Sequence, residues 1–248
     1  MTGKGELKEI YFNKKDVDLN AYPFNLPFLI NTDRISINPQ VTYFVGENGS
    51  GKSTLLEAIA VACGFNPEGG SANFNFGTRE SHSPLYRHIT LSRGTHRHTD
   101  GFFLRSESFF NVATKIEELD KEPSSAPPII NSYGGVSLHQ QSHGESFWAL
   151  FYHRFGGNGL YILDEPEAAL SPAKQMSMLL RMHELTGGRS QFIIATHSPI
   201  ILAYPFATIY EFSEWGITHR SYEQTELYQS YHNFIRNPQQ MVKKLLNL

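Results

Sequence analysis

The chain has 248 residues, 40% of them apolar, and a formal net charge of −3 from 21 basic and 24 acidic side chains. That suffices for one large domain, or one domain with an inserted lobe, and leaves no global basic field of the kind that nucleic-acid binding advertises. A single cysteine, Cys63, excludes a disulfide within the chain; no apolar stretch near Met1 and no run of about 18 apolar residues suggests a leader or a membrane span, so a cytoplasmic protein is expected.

Residues 1–45 read as β-rich, with strands expected near 28–37 and 41–45. The second, Val41-Thr-Tyr-Phe-Val45, is β-branched and aromatic and reads as a buried strand. It runs into Gly46-Glu47-Asn48-Gly49-Ser50-Gly51-Lys52-Ser53-Thr54, which fills G-x-x-x-x-G-K-[ST] with Gly46, Gly51, Lys52 and Ser53. A glycine-rich turn lets successive backbone N–H groups point inward at phosphate oxygens. Lys52 adds positive charge near the β- and γ-phosphates, Ser53 offers a hydroxyl to Mg²⁺, and the following helix presents its positive end. Leu55, Leu56, Ile59 and Ala62 follow at helical spacing, with Gly64 as a stop. Cys63 lies at the end of this apolar helix and reads as a buried structural thiol.

Residues 65–83, rich in Gly, Asn, Ser and Pro, read as loop. Strands are expected at about 87–92 and 101–104, joined by a polar turn. His82, His88, His96 and His98 fall in this region, and His96-x-His98 could offer two ligands to Zn²⁺ from one face of a strand. No cysteine helps, and only Asp100 sits at matching spacing, so the expectation is a solvated loop. A short helix is expected at 111–120. Lys121 to Pro128, with three prolines and two serines, reads as a linker.

The chain is loop-like again from Gly134 to Ser142, and a helix is expected from Glu145 to Phe155. Ser142 could cap it, with Glu145 in the third helical position. Leu160-Tyr-Ile-Leu163 is an apolar strand that delivers Asp164-Glu165-Pro166 at its end. This suits metal-dependent ATP hydrolysis, with Asp164 in the Mg²⁺ shell and Glu165 polarising the attacking water. A helix from Pro172 to Leu185, with Leu179, Leu180 and Met182 on its apolar face, leads to the strand Gln191–Ala195. Strand, helix, strand in this register argues for a parallel sheet. His197, in Ala195-Thr-His-Ser-Pro199, then lies just past the sheet's C-terminal edge, where ligands bind in open α/β folds. A hairpin is expected from Thr208–Phe212 and Gly216–Tyr222, and a last helix capped by Asn237-Pro238.

Phosphate loop, Ser-x-Gly-Glu at a helix start, Asp-Glu-Pro-Glu-Ala-Ala-Leu-Ser-Pro and Thr-His-Ser-Pro occur in that order. Over residues 20–213 the chain resembles ATPases of the ATP-binding-cassette superfamily. It is most similar to the stand-alone bacterial AAA-family ATPases related to RecF-like and chromosome-maintenance ATPases. The resemblance implies an α/β P-loop NTPase fold: a mostly parallel central sheet, an N-terminal antiparallel β part, and a small inserted lobe at about 65–140 within a single domain spanning 1–248. It implies ATP and Mg²⁺ as ligands and a homodimer driven by ATP. Ser142 and Gly144, with Glu145, match the signature motif that reaches across such a dimer to the γ-phosphate held by the other subunit. Ala168 to Ser171 match the D-loop of the dimer interface, and His197 the switch histidine. Arg105 to Ser108 sit where the family has its Q-loop, with Glu107 in place of the usual glutamine at Mg²⁺. Tyr22 and Phe24 are candidates to stack on adenine.

Departures from the transporter pattern separate the relatives. Gln-Ser-His-Gly-Glu replaces the usual Leu-Ser-Gly-Gly-Gln, Ser171 stands where Asp is usual, and Ser-Pro follows the histidine. The insert is too short and too proline-rich for a coiled-coil arm. These features favour an ATP-switched dimer that regulates a partner, such as a nuclease, toxin or DNA-processing factor, in DNA maintenance or phage defence. DNA itself is not indicated by the net charge. The alternative is the ATPase subunit of a transporter. A nucleotide kinase fits less well, because Asp164-Glu165 and His197 suit the activation of water.

Overall fold

The computed structural model describes residues 5–71, 83–123 and 125–247. Strand β1 (Gly5–Phe12) is followed by the one-turn helix α1 (Pro27–Asn31), strand β2 (Arg34–Ser36) and strand β3 (Val41–Gly46). The strand expected over 28–37 is thus reduced to three residues. Pro27 stands at the start of α1, where its preset φ and missing N–H suit a helix, and the turn buries Phe28 and Leu29. Strand β1 escapes sequence reading for a different reason. Its register shifts on either side of Leu7, so the buried Leu7 and Ile10 lie three residues apart and break the alternation that marks a strand.

Helix α2 (Lys52–Ala62) leaves the glycine loop. Strands β4 (Ile89–Arg97) and β5 (Asp100–Arg105) precede helix α3 (Phe109–Lys121). Helix α4 (His143–Ala149) continues through a wider turn at Leu150–Arg154 and leads to strand β6 (Gly159–Asp164). Helix α5 (Pro172–Gly187), strand β7 (Gln191–Ala195), helix α6 (Pro199–Leu202) and the hairpin β8 (Ala207–Ser213) and β9 (Gly216–Arg220) follow. Helices α7 (Glu226–Arg236) and α8 (Pro238–Leu245) close the described chain.

The central sheet has the order β5-β6-β7-β3-β8-β9. Every pairing is parallel except the β8–β9 hairpin. Strands β2, β1 and β4 form a separate antiparallel sheet, so β4 and β5, adjacent in sequence, serve different sheets. Strands β6 and β7 are buried at every position, which is why they read as unbroken apolar runs. On one face Tyr43, Tyr161 and Phe192 pack with Phe147, Phe151 and Met182 from the helices. On the other, Phe44, Ile162 and Ile193 meet Leu55, Leu56 and Ile59 of α2 and Leu7 and Ile10 of the antiparallel sheet.

Two expectations are corrected here. The buried stripe of α5 is Met178, Met182 and Leu185, one residue per turn, whereas Leu180 is 65% exposed. His96 and His98 do not lie in a solvated loop. His96 is part of β4, its Nε2 sits 2.6 Å from Asn158 Oδ1, and His98 is buried against it; His82 lies outside the described residues. Asp100 is taken by Arg154, 2.8 Å away, and no group of metal-ligating side chains forms among the described residues. Helix α7, which the sequence did not signal, buries no residue, nor does α8. No helix among the described residues is long and apolar enough to cross a membrane.

Candidate active site

Strand β3 brings Gly46 to the C-terminal edge of the sheet. Its φ is 137°, and a Cβ there would stand 2.3 Å from the Phe212 carbonyl oxygen. Gly51 has φ 97°, and its Cβ would meet the Phe28 ring at 2.6 Å. Only glycine meets both demands, a positive φ and close approach. Lys52 begins α2 almost fully buried, and its Nζ donates to the carbonyls of Gly46 at 2.8 Å and Glu47 at 2.7 Å. The ammonium therefore curls over the loop it follows. Burial pulls the Lys52 pKa down, and the carboxylates of Glu165 and Asp164 oppose that. Ser50 Oγ is buried with no hydrogen-bond partner. Replacing Gly51 by Ala is expected to lower stability by ~1–3 kcal/mol through overpacking against Phe28, read from chemical denaturation, and to abolish nucleotide binding by the folded fraction.

Asp164 ends β6, and its Oδ1 accepts a hydrogen bond from Ser53 Oγ at 3.1 Å. Burial pushes the Asp164 carboxyl up to about 6, against the pull of the Ser53 hydroxyl. Glu165 follows in a left-handed conformation, φ 50°, a strained state that persists only where neighbours fix it. Its N–H donates to the Ala195 carbonyl at 3.0 Å. Ser106 Oγ donates to the carbonyls of Asp164 and Glu165 at 2.9 and 2.7 Å. Glu165 Oε1 then lies 3.5 Å from His197 Nε2. Burial, aided by the charge of Lys52 and opposed by Glu165, holds the His197 pKa below its ordinary value.

Lys52, Ser53, Thr54, Asn48, Gly49 and Glu165 line a cavity of about 410 Å³ together with Tyr22 and Glu107. Glu107 contributes from the rim: its side chain is 88% exposed, while Arg105 makes its close pair with Glu57 of α2 at 2.8 Å. Of the two aromatic candidates, Tyr22 stands at the mouth with its hydroxyl 2.9 Å from Thr54 Oγ1. Phe24 is turned against the His88 ring, 4.9 Å between centroids. On the other flank of the loop a second hollow is lined by Glu47, Ser50, Glu226 and the exposed Trp215. Helix α7 starts beside Gly46, Glu47 and His197.

Ser142, Gly144 and Glu145 lie elsewhere. None of them lines the cavity at Lys52. Ser142 is the cap of α4, and the Glu145 carboxylate accepts from its N–H at 2.9 Å and its Oγ at 2.6 Å; both residues are exposed. A Cβ on Gly144 would stand 2.8 Å from the Ala169 carbonyl, so the start of α4 is packed on the turn Pro166–Ala169. Trp148, further along α4, carries Lys174 Nζ over its ring at 4.6 Å. The structure thus gathers Lys52, Ser53, Asp164, Glu165 and His197 and leaves the 142–145 segment outside. Sequence reasoning missed Ser106 and Glu167, whose carboxylate accepts the His197 N–H. The second could have been suspected from a third carboxylate so close behind Asp164-Glu165.

A family profile described as an AAA domain matches residues 20–152, more than half of the chain. The chain belongs to the AAA-domain family. A second AAA-domain profile, described for the AbiEii toxin of a Type IV TA system, matches residues 129–203. Among solved structures, the ATP-binding subunit of an ABC transporter is 14% identical, with 92% of this AAA-domain chain and 99% of that one covered, at a TM-score of 0.51. That likeness places the fold among the ATP-binding cassettes. The SMC head domain from Thermotoga maritima is 15% identical, with 87% and 99% covered, at a TM-score of 0.43. CbiO1 from Clostridium perfringens is 17% identical, with 98% and 100% covered, at 0.45. No curated protein matches the sequence.

Proposed function

We propose that this AAA-domain ATPase is a switch that binds and hydrolyses ATP with Mg²⁺, dimerises around two ATP molecules, and regulates a partner in DNA maintenance or phage defence. One observation carries the reading: the phosphate loop and Glu165 line one cavity, with Asp164 held to Ser53 and His197 beside Glu165, while Ser142, Gly144 and Glu145 lie outside it. A site so divided is completed by a second copy. A single domain spans 1–248, and the segment of about 65–140, rather than standing apart as an inserted lobe, supplies β4 and β5 to its two sheets. The match to a toxin–antitoxin AAA domain supports the defence branch of the proposal, with a nuclease, toxin or DNA-processing factor as partner.

The residues present fit the ligands. The glycine cradle is one a Cβ would fill, Lys52 is held in it as a buried cation, and Ser53 and Asp164 form a hard oxygen pair suited to Mg²⁺. Glu107, on the rim, stands in for the usual glutamine. When bound, Mg²⁺ neutralises phosphate charge. Lys52 exchanges its two loop carbonyls for phosphate oxygens, and Gly46 to Thr54 hold the chain of phosphates. Glu165 orients the attacking water and draws on its proton, and His197 contacts the γ-phosphate beside it. Ser142 and Gly144 of the second copy close the site over the γ-phosphate.

The reading is tested by the concentration dependence of ATPase activity. Turnover per molecule should rise with protein concentration in the dilute range and then saturate, as a composite site requires. Turnover independent of concentration in a monodisperse monomer would refute the divided site. Tyr22→Ala should weaken ATP binding about tenfold, since stacking of a base on an aromatic ring is worth ~1–3 kcal/mol, while Tyr22→Phe should not. Calorimetric titration with ATP, and with inorganic triphosphate as the base-free control, measures this.

A further inference from the structure

The turn after β6 carries a third carboxylate that the acid pair does not account for. Glu167 lies in the segment Pro166–Ala169, two residues beyond Glu165. It does not line the cavity at Lys52. Its Oε1 accepts a hydrogen bond from the backbone N–H of His197, and its Oε2 is buried. Burial raises the Glu167 pKa, and the His197 N–H opposes the rise. A carboxyl group in such a place adds little to stability on its own account, so its geometry is the point of interest.

The residues on either side of His197 are anchored independently. Thr196 N–H donates to the Phe44 carbonyl of β3 at 3.2 Å. Ser198 N–H donates to Thr196 Oγ1 at 3.0 Å, and Ser198 Oγ to Gln175 Oε1 of α5 at 2.6 Å. The peptide of His197 itself is tied to Glu167, and its ring faces Glu165 at 3.5 Å. Backbone and ring are thus both referenced to one short turn. The same turn packs on the start of α4 through the Ala169 carbonyl at Gly144, and it runs straight into Ser171, the cap of α5.

We propose that Glu167 is a positioning residue: by accepting the His197 N–H it sets where the imidazole stands relative to Glu165. The proposal rests on the reading of His197 as a group that acts in hydrolysis. Glu167 acts only through His197 and touches no substrate.

The test compares Glu167→Ala, Glu167→Gln and His197→Ala in the full chain with Mg²⁺ and ATP. A misplacement of about an ångström at a reacting centre can cost on the order of 10²-fold. Glu167→Ala should therefore lower kcat by about 10–100-fold. It should leave KM within about twofold, the pattern of a lost transition-state interaction. Glu167→Gln keeps an acceptor oxygen at the same place and should restore most of the rate. The amide proton resonance of His197, assigned by its loss in His197→Ala, should move upfield in Glu167→Ala and return in Glu167→Gln. If the alanine variant does not fold, Glu167→Met keeps the volume without the acceptor and replaces it. A Glu167→Ala enzyme with normal kcat beside an inactive His197→Ala enzyme overturns the positioning role and leaves the proposed function standing. A fully active His197→Ala enzyme removes the premise, and the positioning role with it. Equal loss in Glu167→Gln and Glu167→Ala, with the amide resonance unmoved, marks Glu167 as merely structural and also overturns it.

Discussion

Glu165→Gln is expected to bind ATP as the unaltered chain does, to stop turning it over, and to accumulate as a dimer. The side chain stands at the end of β6 beside Ser53 and Asp164, but its own contact is with His197, so the amide leaves the phosphate cradle untouched. Loss of a positioned general base slows a reaction by about 10²–10⁴-fold, and a dimer that forms on ATP and dissolves on hydrolysis then persists. Lys52→Ala is the contrasting variant. Its ammonium is the buried cation of the loop, so nucleotide binding itself should fail. Light scattering with ATP and Mg²⁺, with nucleotide content measured on the same sample, distinguishes the two. A Glu165→Gln chain that holds ATP and stays monomeric at micromolar concentration would contradict ATP-driven dimerisation. Equal loss of binding in both variants would make Glu165 a metal-binding or structural group.

Ser142→Arg should leave ATP binding by the monomer intact and abolish both dimerisation and hydrolysis. Ser142 is exposed at the start of α4 and does not line the cavity at Lys52, so an arginine there should spare binding in cis and obstruct only the site of a second copy. A role confined to capping α4 would give a different result: a loss of ~0.5–2 kcal/mol in stability with the folded fraction fully active. Mixing decides between them. Ser142→Arg and Lys52→Ala chains, each inactive alone, build one intact site per heterodimer, from the phosphate loop of the first and the α4 start of the second. ATPase activity should therefore return on mixing. Its absence in confirmed heterodimers would refute the composite site, provided that a heterodimer of unaltered and Ser142→Arg chains, which also holds one intact site, is active.

Much of the central sheet was legible because burial on both faces leaves no alternation to decode. Val41–Val45, Leu160–Leu163 and Gln191–Ala195 are apolar runs that admit few other readings, and each ends in residues that belong at a sheet edge. The phosphate loop was legible because its glycines answer a backbone demand that other residues cannot meet. What escaped depends on partners distant in sequence. The bulge in β1 puts Leu7 and Ile10 on one face only because β4 shifts register against it. Met178 rather than Leu180 faces the core, since the phase of α5 is set by its packing and not by its composition. His98, just past the end of β4, is buried with its ring against His96. Ser106 and Glu167 work through main-chain groups of other loops, and a backbone acceptor or donor leaves no mark in the sequence. Tyr22 and Phe24 could not be told apart for the same reason: both are aromatic and upstream, and only tertiary contacts put Tyr22 beside Thr54 at the cavity and turn Phe24 against His88.

The chain's two tryptophans stand at the two places that the proposed dimer would bring together. Trp215 is 79% exposed on the flank of the phosphate loop, in the hollow shared with Glu47 and Ser50. Trp148 lies on α4 behind Ser142, under the Lys174 ammonium. The molecule therefore carries its own pair of optical reporters, one beside the phosphate loop and one beside the α4 start that the proposed dimer would bring to a second copy. With Trp148→Phe the remaining emission follows loading of the loop, and with Trp215→Phe it follows docking of the signature helix. The two events can then be separated in time in a rapid-mixing experiment on unlabelled protein.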